Sequence, residues 1–315
     1  MKKHSKIVAI QGDFIRSINI KTDPTLLLAL EAQRRGYKIY YYETKNLTFL
    51  NNKVYALCQE IEFNESKKKF YSIKDTKTAD LSKTSFIFMR QNPPFNMDYI
   101  TATFLLERIS NKTQIINDPF AVRNMPEKLC SIDFLQFMPP TIFTKDICAI
   151  EKFKKRHKKI VIKPTHGYGG KNIFFVNKNV NKNKILNYIK KNEHVMAQKF
   201  LPQIKYGDKR IFIINGVVKG AIKRIPRKGS IVSNLGQGGK AYKTKLSKKE
   251  MFIAKRIATR LKKNEVLFAG IDLISNYLTG DINVTSPTGL KNYKDLTGID
   301  LSVDIWNCLE SRRKT

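Results

Sequence analysis

Two short loops hold seven of the chain's 16 glycines: Gly167, Gly169 and Gly170 in one, Gly229, Gly236, Gly238 and Gly239 in the other. The first loop lies in Ile162-Lys163-Pro164-Thr165-His166-Gly167-Tyr168-Gly169-Gly170-Lys171, where a lysine ends an apolar run and the glycines follow. Backbone N–H groups in such a loop can fold over phosphates while the ammonium neutralises them. Taken alone the segment also suits an ordinary hairpin turn, and the G-x-x-x-x-G-K-[ST] pattern is absent. A third stretch offers hard oxygens: Asp272, then Gly280-Asp281-Ile282-Asn283. Asp281 and Asn283 are two apart, so on an extended strand they share a face, which Asp272 meets from the paired strand. Two carboxylates and a carboxamide suit Mg²⁺, which keeps waters and shares its other positions with substrate phosphates. In isolation Asp281 and Asn283 read equally as turn and edge residues, but the chain has only 26 acids against 59 bases.

Between these stretches, Met196-Ala197-Gln198-Lys199-Phe200-Leu201 reads as a strand running into a linker, and Gly207-Asp208-Lys209-Arg210 opens the next strand. The linker backbone suits a purine edge, with Phe200 and Leu201 over its face and Asp208 toward ribose hydroxyls. Plain core packing explains that segment as well.

The elements that must position these residues follow from apolar periodicity. Lys6 to Gln11 is a buried strand; Asp23-Pro24 caps a helix over Thr25 to Arg35 that Gly36 ends. Further strands are Tyr37 to Glu43, a hairpin turning at Asn51-Asn52, Ser85 to Met89 and Gln114 to Asn117, with a helix over Tyr99 to Ile109. This alternation predicts an α/β layer in the first ~120 residues, and no G-x-G-x-x-G follows the first strand. From Pro126 the spacing predicts a helix over Glu127 to Phe137. Strands follow at Ile160 to Lys163, Ile173 to Val176, Val195 to Phe200, Arg210 to Asn215, Val217 to Arg224 and Val266 to Ile274. The helix Lys248 to Lys262 places Phe252, Ile253, Ile257, Ala258 and Leu261 on one stripe.

Composition bounds the rest. At 315 residues, with 42% apolar and 10% aromatic residues, the chain is globular and has room for two or three subdomains. No apolar run spans a bilayer and Met1 to Ile10 is no signal segment, so no membrane association is expected. Cys58, Cys130, Cys148 and Cys308 lack zinc-site spacing and read as buried, reduced thiols of a cytoplasmic chain. The formal charge of +33 attracts polyanions, but its lysines are spread along the chain, apart from short clusters such as Lys67 to Lys69 and Lys152 to Lys159. They are not concentrated on one element interleaved with aromatics. A solvated lysine-rich surface is the simpler account, and no specific nucleic acid is expected.

Lys128, Lys163 with its glycine loop, Met196 to Leu201, Asp208 to Arg210, Arg224 and the acidic hairpin occur in the order of the ATP-grasp superfamily. Asn19-Ile20-Lys21, Glu31 to Tyr37, Met89 to Phe95, Gly207 to Arg210, Arg224 to Pro226 and Ile282 to Thr288 together resemble bacterial glutathione synthetase. The likeness runs from about residue 7 to 310. It implies α/β and α+β architecture: a Rossmann-like preATP-grasp domain (1–122), then a two-lobed ATP-grasp fold (123–315). The ATP lobe would end near residue 200, and the second lobe would carry a lid loop over residues 227–240. It implies an ATP- and Mg²⁺-dependent ligase, with Mn²⁺ as a possible substitute, that joins glycine to γ-glutamylcysteine through an acyl phosphate. By the same likeness the enzyme is a homo-oligomer.

Carried over, Lys128, Lys163, Gly167, Tyr168, Gly169, Gly170, Gln198, Lys199, Phe200, Leu201 and Asp208 bind ATP. Asp272, Asp281 and Asn283 hold the metal, and Arg210 and Arg224 neutralise developing charge in catalysis. Asn19, Arg90, Asn234, Gly238, Gly239, Ser286 and Thr288 fall to the peptide and glycine subsites. The chain departs from the family pattern at four places. Gly280-Asp281 stands where a glutamate is usual, with one extra residue that a β-bulge would absorb. His166 replaces a common acid, Gln91-Asn92 replaces Lys-Asp, and Val232 replaces an arginine whose part Arg227 or Lys228 would take. Another ATP-grasp peptide ligase shares the ATP motifs but not the amino-terminal ones, and a nucleic-acid binder would share neither.

Overall fold

A computed structural model describes residues 6–20, 23–65 and 69–313. The basic start through Ser5, Lys21 of the Asn19-Ile20-Lys21 motif, and Lys67 and Lys68 of the Lys67–Lys69 cluster lie outside them. The first sheet comprises β1 (Ile7–Gly12), β2 (Lys38–Glu43), β3 (Leu47–Leu50), β4 (Lys53–Phe63), β5 (Tyr71–Asp80), β6 (Phe86–Met89) and β7 (Gln114–Ile116). Its order is β3-β4-β2-β1-β6-β7, with β5 on β4. β2, β1, β6 and β7 run parallel, as βαβ crossovers require. The crossovers are α1 (Thr25–Arg34) and α2 (Met97–Glu107), and α3 (Pro119–Asn124) follows β7. β4 pairs antiparallel with β2, β3 and β5. Sequence periodicity misses β5, because its burial pattern holds no fully buried residue and gives no period-2 signal. The Asn51-Asn52 turn has φ of 48° and 56°, a conformation that asparagine tolerates better than most residues.

The second sheet has β8 (Thr141–Thr144), β9 (Ile160–Pro164), β10 (Phe174–Val176) and β11 (Val195–Lys199) in the order β10-β9-β11-β8. Helices α4 (Ile147–His157) and α5 (Lys182–Asn192) share its core with Ile150, Ile160, Ile162, Ile185 and Ile189. The third sheet, β14-β13-β12-β15-β16, is built of β12 (Asp208–Ile214), β13 (Val217–Ile225), β14 (Lys240–Lys243), β15 (Phe268–Ile274) and β16 (Tyr277–Asn283). Against it lies α6 (Lys248–Lys263), opened by a Ser247–Glu250 capping box. Its buried stripe is Ile253, Ala254, Ile257, Ala258 and Leu261. Phe252, expected on that stripe, is 52% exposed, one position around the helix, and packs edge-on against Phe137. The fold class is the one the sequence implied: a parallel α/β layer followed by two antiparallel α+β lobes.

The segment expected as a helix from Glu127 to Phe137 is instead a run of 3₁₀ turns over Leu129–Phe137, broken at Phe134. An α-helix starting there needs the first carbonyls free, but Ile282 N donates to Glu127 O (3.1 Å) and Ser131 Oγ to Lys128 O (2.6 Å). Nor are the thiols uniformly buried: Cys58 is, Cys130 and Cys308 are partly so, and Cys148 is exposed.

After α7 (Leu290–Thr297), the chain returns to the first sheet as α8 (Leu301–Arg313). Trp306 on α8 is fully buried against Tyr37, Phe86 and Phe88, and its Nε1–H donates to Leu28 O at 2.9 Å. Asn117 fastens the same junction: its amide donates to Phe268 O and Val284 O, and its oxygen accepts from Leu267 N and Phe268 N. First and third sheets therefore share one apolar core. Trp306→Ala should destabilise the protein by about 3–5 kcal/mol in a urea titration; an unchanged midpoint would show that α8 does not hold the junction.

Candidate active site

Cross-strand register assembles the floor of the central cavity. Asp208 pairs with Arg224 between β12 and β13, and Arg210 with Asp272 between β12 and β15. Directly opposed side chains on one sheet face meet, and here they form a charge ladder. Arg210 donates to Asp272 through Nε (2.5 Å) and Nη2 (2.8 Å). Arg224 Nη2 lies 2.7 Å from Asp272 Oδ2. Arg224 also donates to Asp208, through Nε at 2.9 Å and through Nη2. All four residues are 5% exposed or less. Burial works to raise the Asp272 carboxyl, but the charges of Arg210 and Arg224 overcome it and hold it below the usual carboxylate range. Asp208, with Arg224 beside it, stays raised by burial. Removing one member would leave its partner buried and unpaired, at a cost of about 3–5 kcal/mol.

Facing this ladder are two ammonium groups. Lys163 Nζ, from β9, donates to Thr279 O (3.0 Å) and lies 3.6 Å from Asp281 Oδ2. Lys128 Nζ donates to Gly167 O (2.5 Å) and lies 3.4 Å from Asp281 Oδ1. Burial acts to raise the Asp281 carboxyl, yet Lys163 and Lys128 outweigh it and drive it far below its ordinary value. The β15–β16 register slips between Ile271 and Leu273, the irregularity that the extra residue requires, and Gly280 takes φ +95° there. A Cβ at Gly280 would lie 2.8 Å from Met196 Sδ, so the turn of backbone that aims Asp281 needs glycine.

The residues expected at the nucleotide gather here. The cavity is lined by the Gly167–Gly170 loop, Gln198 to Leu201, both lysines, the ladder and Asp281. Gln198 donates to Thr141 Oγ1 (3.0 Å), and Phe200 packs edge-on to Phe175. Ile231 to Asn234 of the second glycine-rich loop close one side, and a Cβ on Gly170 (φ +72°) would meet Val232 Cγ1 at 2.5 Å. Of the substrate candidates, Asn234 lines the cavity and caps Gly236 N, while Gly238 and Gly239 turn the loop outside the lining. Arg227 Nε donates to Gly238 O. Asn19 accepts from Asp23 N through its carbonyl.

Arg90 is spent inward on Thr25 Oγ1, Asp23 Oδ1 (3.3 Å) and Pro287 O, a strut between first sheet and C-terminal loop. Asn283 Oδ1 accepts from Ser286 N (3.2 Å) and Thr285 Oγ1, and Thr288 O accepts from Arg210 Nη1. Asp208, read from sequence as a ribose ligand, lines the cavity and pairs with Arg224.

Sequence reasoning passed over two acids. Glu127 lines the cavity beside Lys128, and burial pushes its carboxyl up to about 7 against the pull of Lys128. The helix reading of 127–137 hid it, although its place directly before Lys128 was a usable signal. Asp13 ends the first parallel strand, where open α/β sheets take ligands; the search there was for glycines, not acids.

Among the described residues no three His, Cys, Asp or Glu side chains gather to enclose a metal. Of the expected oxygens, Asp272 and Asp281 line the cavity, while Asn283 lies outside its lining with Oδ1 on Ser286 N. Two carboxylates fit a hard divalent ion whose shell is completed by water and phosphate, not a site enclosed by protein alone.

Family models match nearly the whole chain: "Prokaryotic glutathione synthetase, N-terminal domain" over residues 7–123 and "Prokaryotic glutathione synthetase, ATP-grasp domain" over 127–298. The chain is 39% identical to the glutathione synthetase of Agrobacterium fabrum over 311 residues, covering 98% of this chain and 97% of that one. It is 40% identical to that of Buchnera aphidicola subsp. Baizongia pistaciae over 308 residues, covering 96% and 95%. Among solved structures it resembles D-cycloserine synthetase (TM-score 0.67, 15% identity, 97% and 99% covered). It also resembles an ATP-grasp ligase complexed with a minimal precursor, Mg and ADP (TM-score 0.62, 13% identity, 98% and 99% covered). At such identities the likeness speaks for the fold.

The ladder makes a distinguishing prediction for Asp208. Asp208→Asn should lower kcat by on the order of 10²-fold, by loosening Arg224, with the KM for ATP moved less than about threefold. Steady-state kinetics showing the reverse split would return Asp208 to the ribose.

Proposed function

The chain belongs to the prokaryotic glutathione synthetase family and is an ATP-dependent ligase, and from that premise we propose how its own residues divide the work. The reaction joins glycine to γ-glutamylcysteine: the cysteinyl carboxylate takes the γ-phosphoryl group of ATP, and the glycine amine displaces phosphate from the acyl phosphate. One observation supports the assignment of roles above the rest. Asp281 stands between the ammonium groups of Lys128 and Lys163, under the Gly167–Gly170 loop.

In this reading Lys128 and Lys163 exchange their contact with Asp281 for triphosphate oxygens, while amides of the glycine loop cover the phosphates. Asp281, Asp272 and Asn283 would hold Mg²⁺. When bound, the ion supplies charge neutralisation at the phosphates and a fixed template for them. Gln198 to Leu201 bind the adenine. Arg210 and Arg224, held rigid by Asp272 and Asp208, face the reacting groups as preorganised positive charge. Such charge is worth on the order of 10²–10³ in rate per group. Ser286, Thr288 and Asn234 stand toward the amino-acid subsites. The loop over residues 227–240 is a lid that keeps water from the acyl phosphate. The same reading makes 1–122 the peptide-binding domain and 123–315 the ATP-grasp domain, of a cytoplasmic homo-oligomer in which Mn²⁺ can replace Mg²⁺.

Phosphate release measured with γ-glutamylcysteine and glycine, separately and together, should require both, with tripeptide in the product; release indifferent to glycine counts against the reading. Asp281→Asn should lower kcat/KM by about 10²-fold or more while keeping a cooperative melt. Its pH dependence has a definite sign. A carboxyl depressed on folding stabilises the protein above its unfolded value and loses that contribution on acidification. The stability gap between wild type and Asp281→Asn should therefore be full at pH 7 and narrow below about pH 4; thermal melts across pH read it directly. Limited proteolysis within residues 227–240 should slow when ATP analogue and peptide are bound together, and unchanged cleavage rejects the lid.

A further inference from the structure

Asp13 follows β1 at the C-terminal edge of the parallel strands, and none of the phosphoryl chemistry above uses it. Its half-buried carboxylate accepts from Asn92 N at 3.3 and 3.2 Å and from Asn92 Nδ2 at 2.7 Å, which are neutral donors. Among the described residues it has no salt-bridge partner. The charges acting on it are Asp23, which disfavours its ionised form, and Arg90, which favours it. Arg90 is already paired with Asp23 at 3.3 Å. Among the described residues, two carboxylates thus stand near one guanidinium that is paired with Asp23, and burial raises the Asp13 carboxyl. A partly buried carboxylate is stabilised by a cation in contact with it, and the described residues supply none to Asp13.

A second observation points to a ligand at the same place. The Tyr99 hydroxyl is buried, with Tyr99 only 3% exposed, and has no hydrogen-bond partner. Burial raises its pKa, with Arg90 acting to lower it and Asp13 to raise it, so the hydroxyl lies within electrostatic reach of that corner. Both amide atoms of Gln91, 4% exposed and next in the chain to Arg90 and Asn92, are also unpartnered. Buried polar atoms left unpaired call for an explanation, and a polar ligand head supplies one.

A chain of hydrogen bonds leads from this corner to the hairpin of the reaction centre. Asn92 Oδ1 accepts from Ser286 Oγ at 3.2 Å, and Ser286 N donates to Asn283 Oδ1 at 3.2 Å. Asp13 is thereby joined through two residues to the strand that carries Asp281. In extended γ-glutamylcysteine, six bonds separate the cysteinyl carboxyl carbon from the carbon that bears the amino group, about 7.5 Å, or two peptide-length steps. An ammonium lies at the far end. We propose that Asp13 binds the α-ammonium of the γ-glutamyl end of the peptide substrate and makes the enzyme selective for that amino group. The inference rests on the reading of this site as the one that activates γ-glutamylcysteine.

Glutarylcysteine, which lacks only that amino group, is the probe. With ATP and glycine saturating, kcat/KM is measured for both peptides with wild type and Asp13→Asn. Wild type should prefer γ-glutamylcysteine by on the order of 10²-fold, since a site built around a polar partner rejects the analogue lacking it. Asp13→Asn should lose most of that preference, by a fall of similar size on γ-glutamylcysteine with glutarylcysteine changed less than about threefold. Equal losses on both peptides, or a preference retained in the variant, overturn the proposal. Should that variant fail to fold, Asp13→Glu, which keeps the charge one methylene farther out, takes its place in the same assay. A loss confined to γ-glutamylcysteine then upholds the proposal, and equal losses on both peptides, or equal use of the two peptides by wild type, overturn it. No wild-type turnover of γ-glutamylcysteine, in contrast, removes the reading of the site itself and this inference with it.

Discussion

The structure is organised around a carboxylate held between two ammonium groups across a cleft. Asp281 comes from the third sheet, Lys163 from the second, and Lys128 from the segment joining the first to the second. Like charges on both sides would push the lobes apart; these opposite charges hold them together. In the proposed reading, a triphosphate with its divalent ion would offer each side what the other side gave it: oxygens for the lysines, positive charge for Asp281. Phosphate binding would then be an exchange of partners rather than a new desolvation of bare charges. The mutual pairing keeps the cost of two buried ammonium groups and a partly buried carboxylate tolerable, since an isolated buried charge would shift its protonation instead.

The ladder from Arg210 through Asp272 and Arg224 to Asp208 serves a different end. Buried ion pairs add little net stability over apolar packing, but they fix geometry because every member is lost if one is removed. Here each rung is also a cross-strand pair, so the hydrogen-bond register of three strands sets where two guanidinium groups stand. A preorganised positive wall needs no reorganisation as charge develops against it. The supports are remote and apolar. Trp306 and Asn117 lock the first sheet to the third, so Arg90 and Asn92 meet Pro287 and Ser286 of the loop that follows the acidic hairpin.

How much of this the sequence discloses depends on the range of the interaction. The apolar runs of β1, β6, β9 and β15 and the stripe of α6 follow from local periodicity. Glycines clustered after Lys163 are rare enough in this chain to single out a loop that lines the cavity. Strand β5 is hidden because its two faces are polar. Pairings between distant residues are hidden for another reason: Asp208 next to Arg224, and Glu127 O against Ile282 N, depend on register that composition does not carry. The second of these also turned an expected α-helix into 3₁₀ turns. Asp13 shows the limit most plainly, since a lone acid after a strand is unremarkable until its hydrogen-bond donors prove to be neutral.

The departures from the family pattern then acquire a physical reading. Asp281 is one methylene shorter than the usual glutamate, and the chain inserts a residue and takes Gly280 to φ +95° beside Met196. Backbone displacement replaces side-chain length, which is why the carboxylate still reaches both lysines. Val232 shows the opposite strategy. Where the family pattern has an arginine, an isopropyl group rests on the glycine loop at Gly170, joining the two loops through apolar contact. Arg227 lies in the same segment, its Nε donating to Gly238 O, and in the proposed reading it would supply the charge that the valine does not. Fixed positive charge on the sheet and apolar contact between the loops are separable functions, and in this chain they have been assigned to different residues.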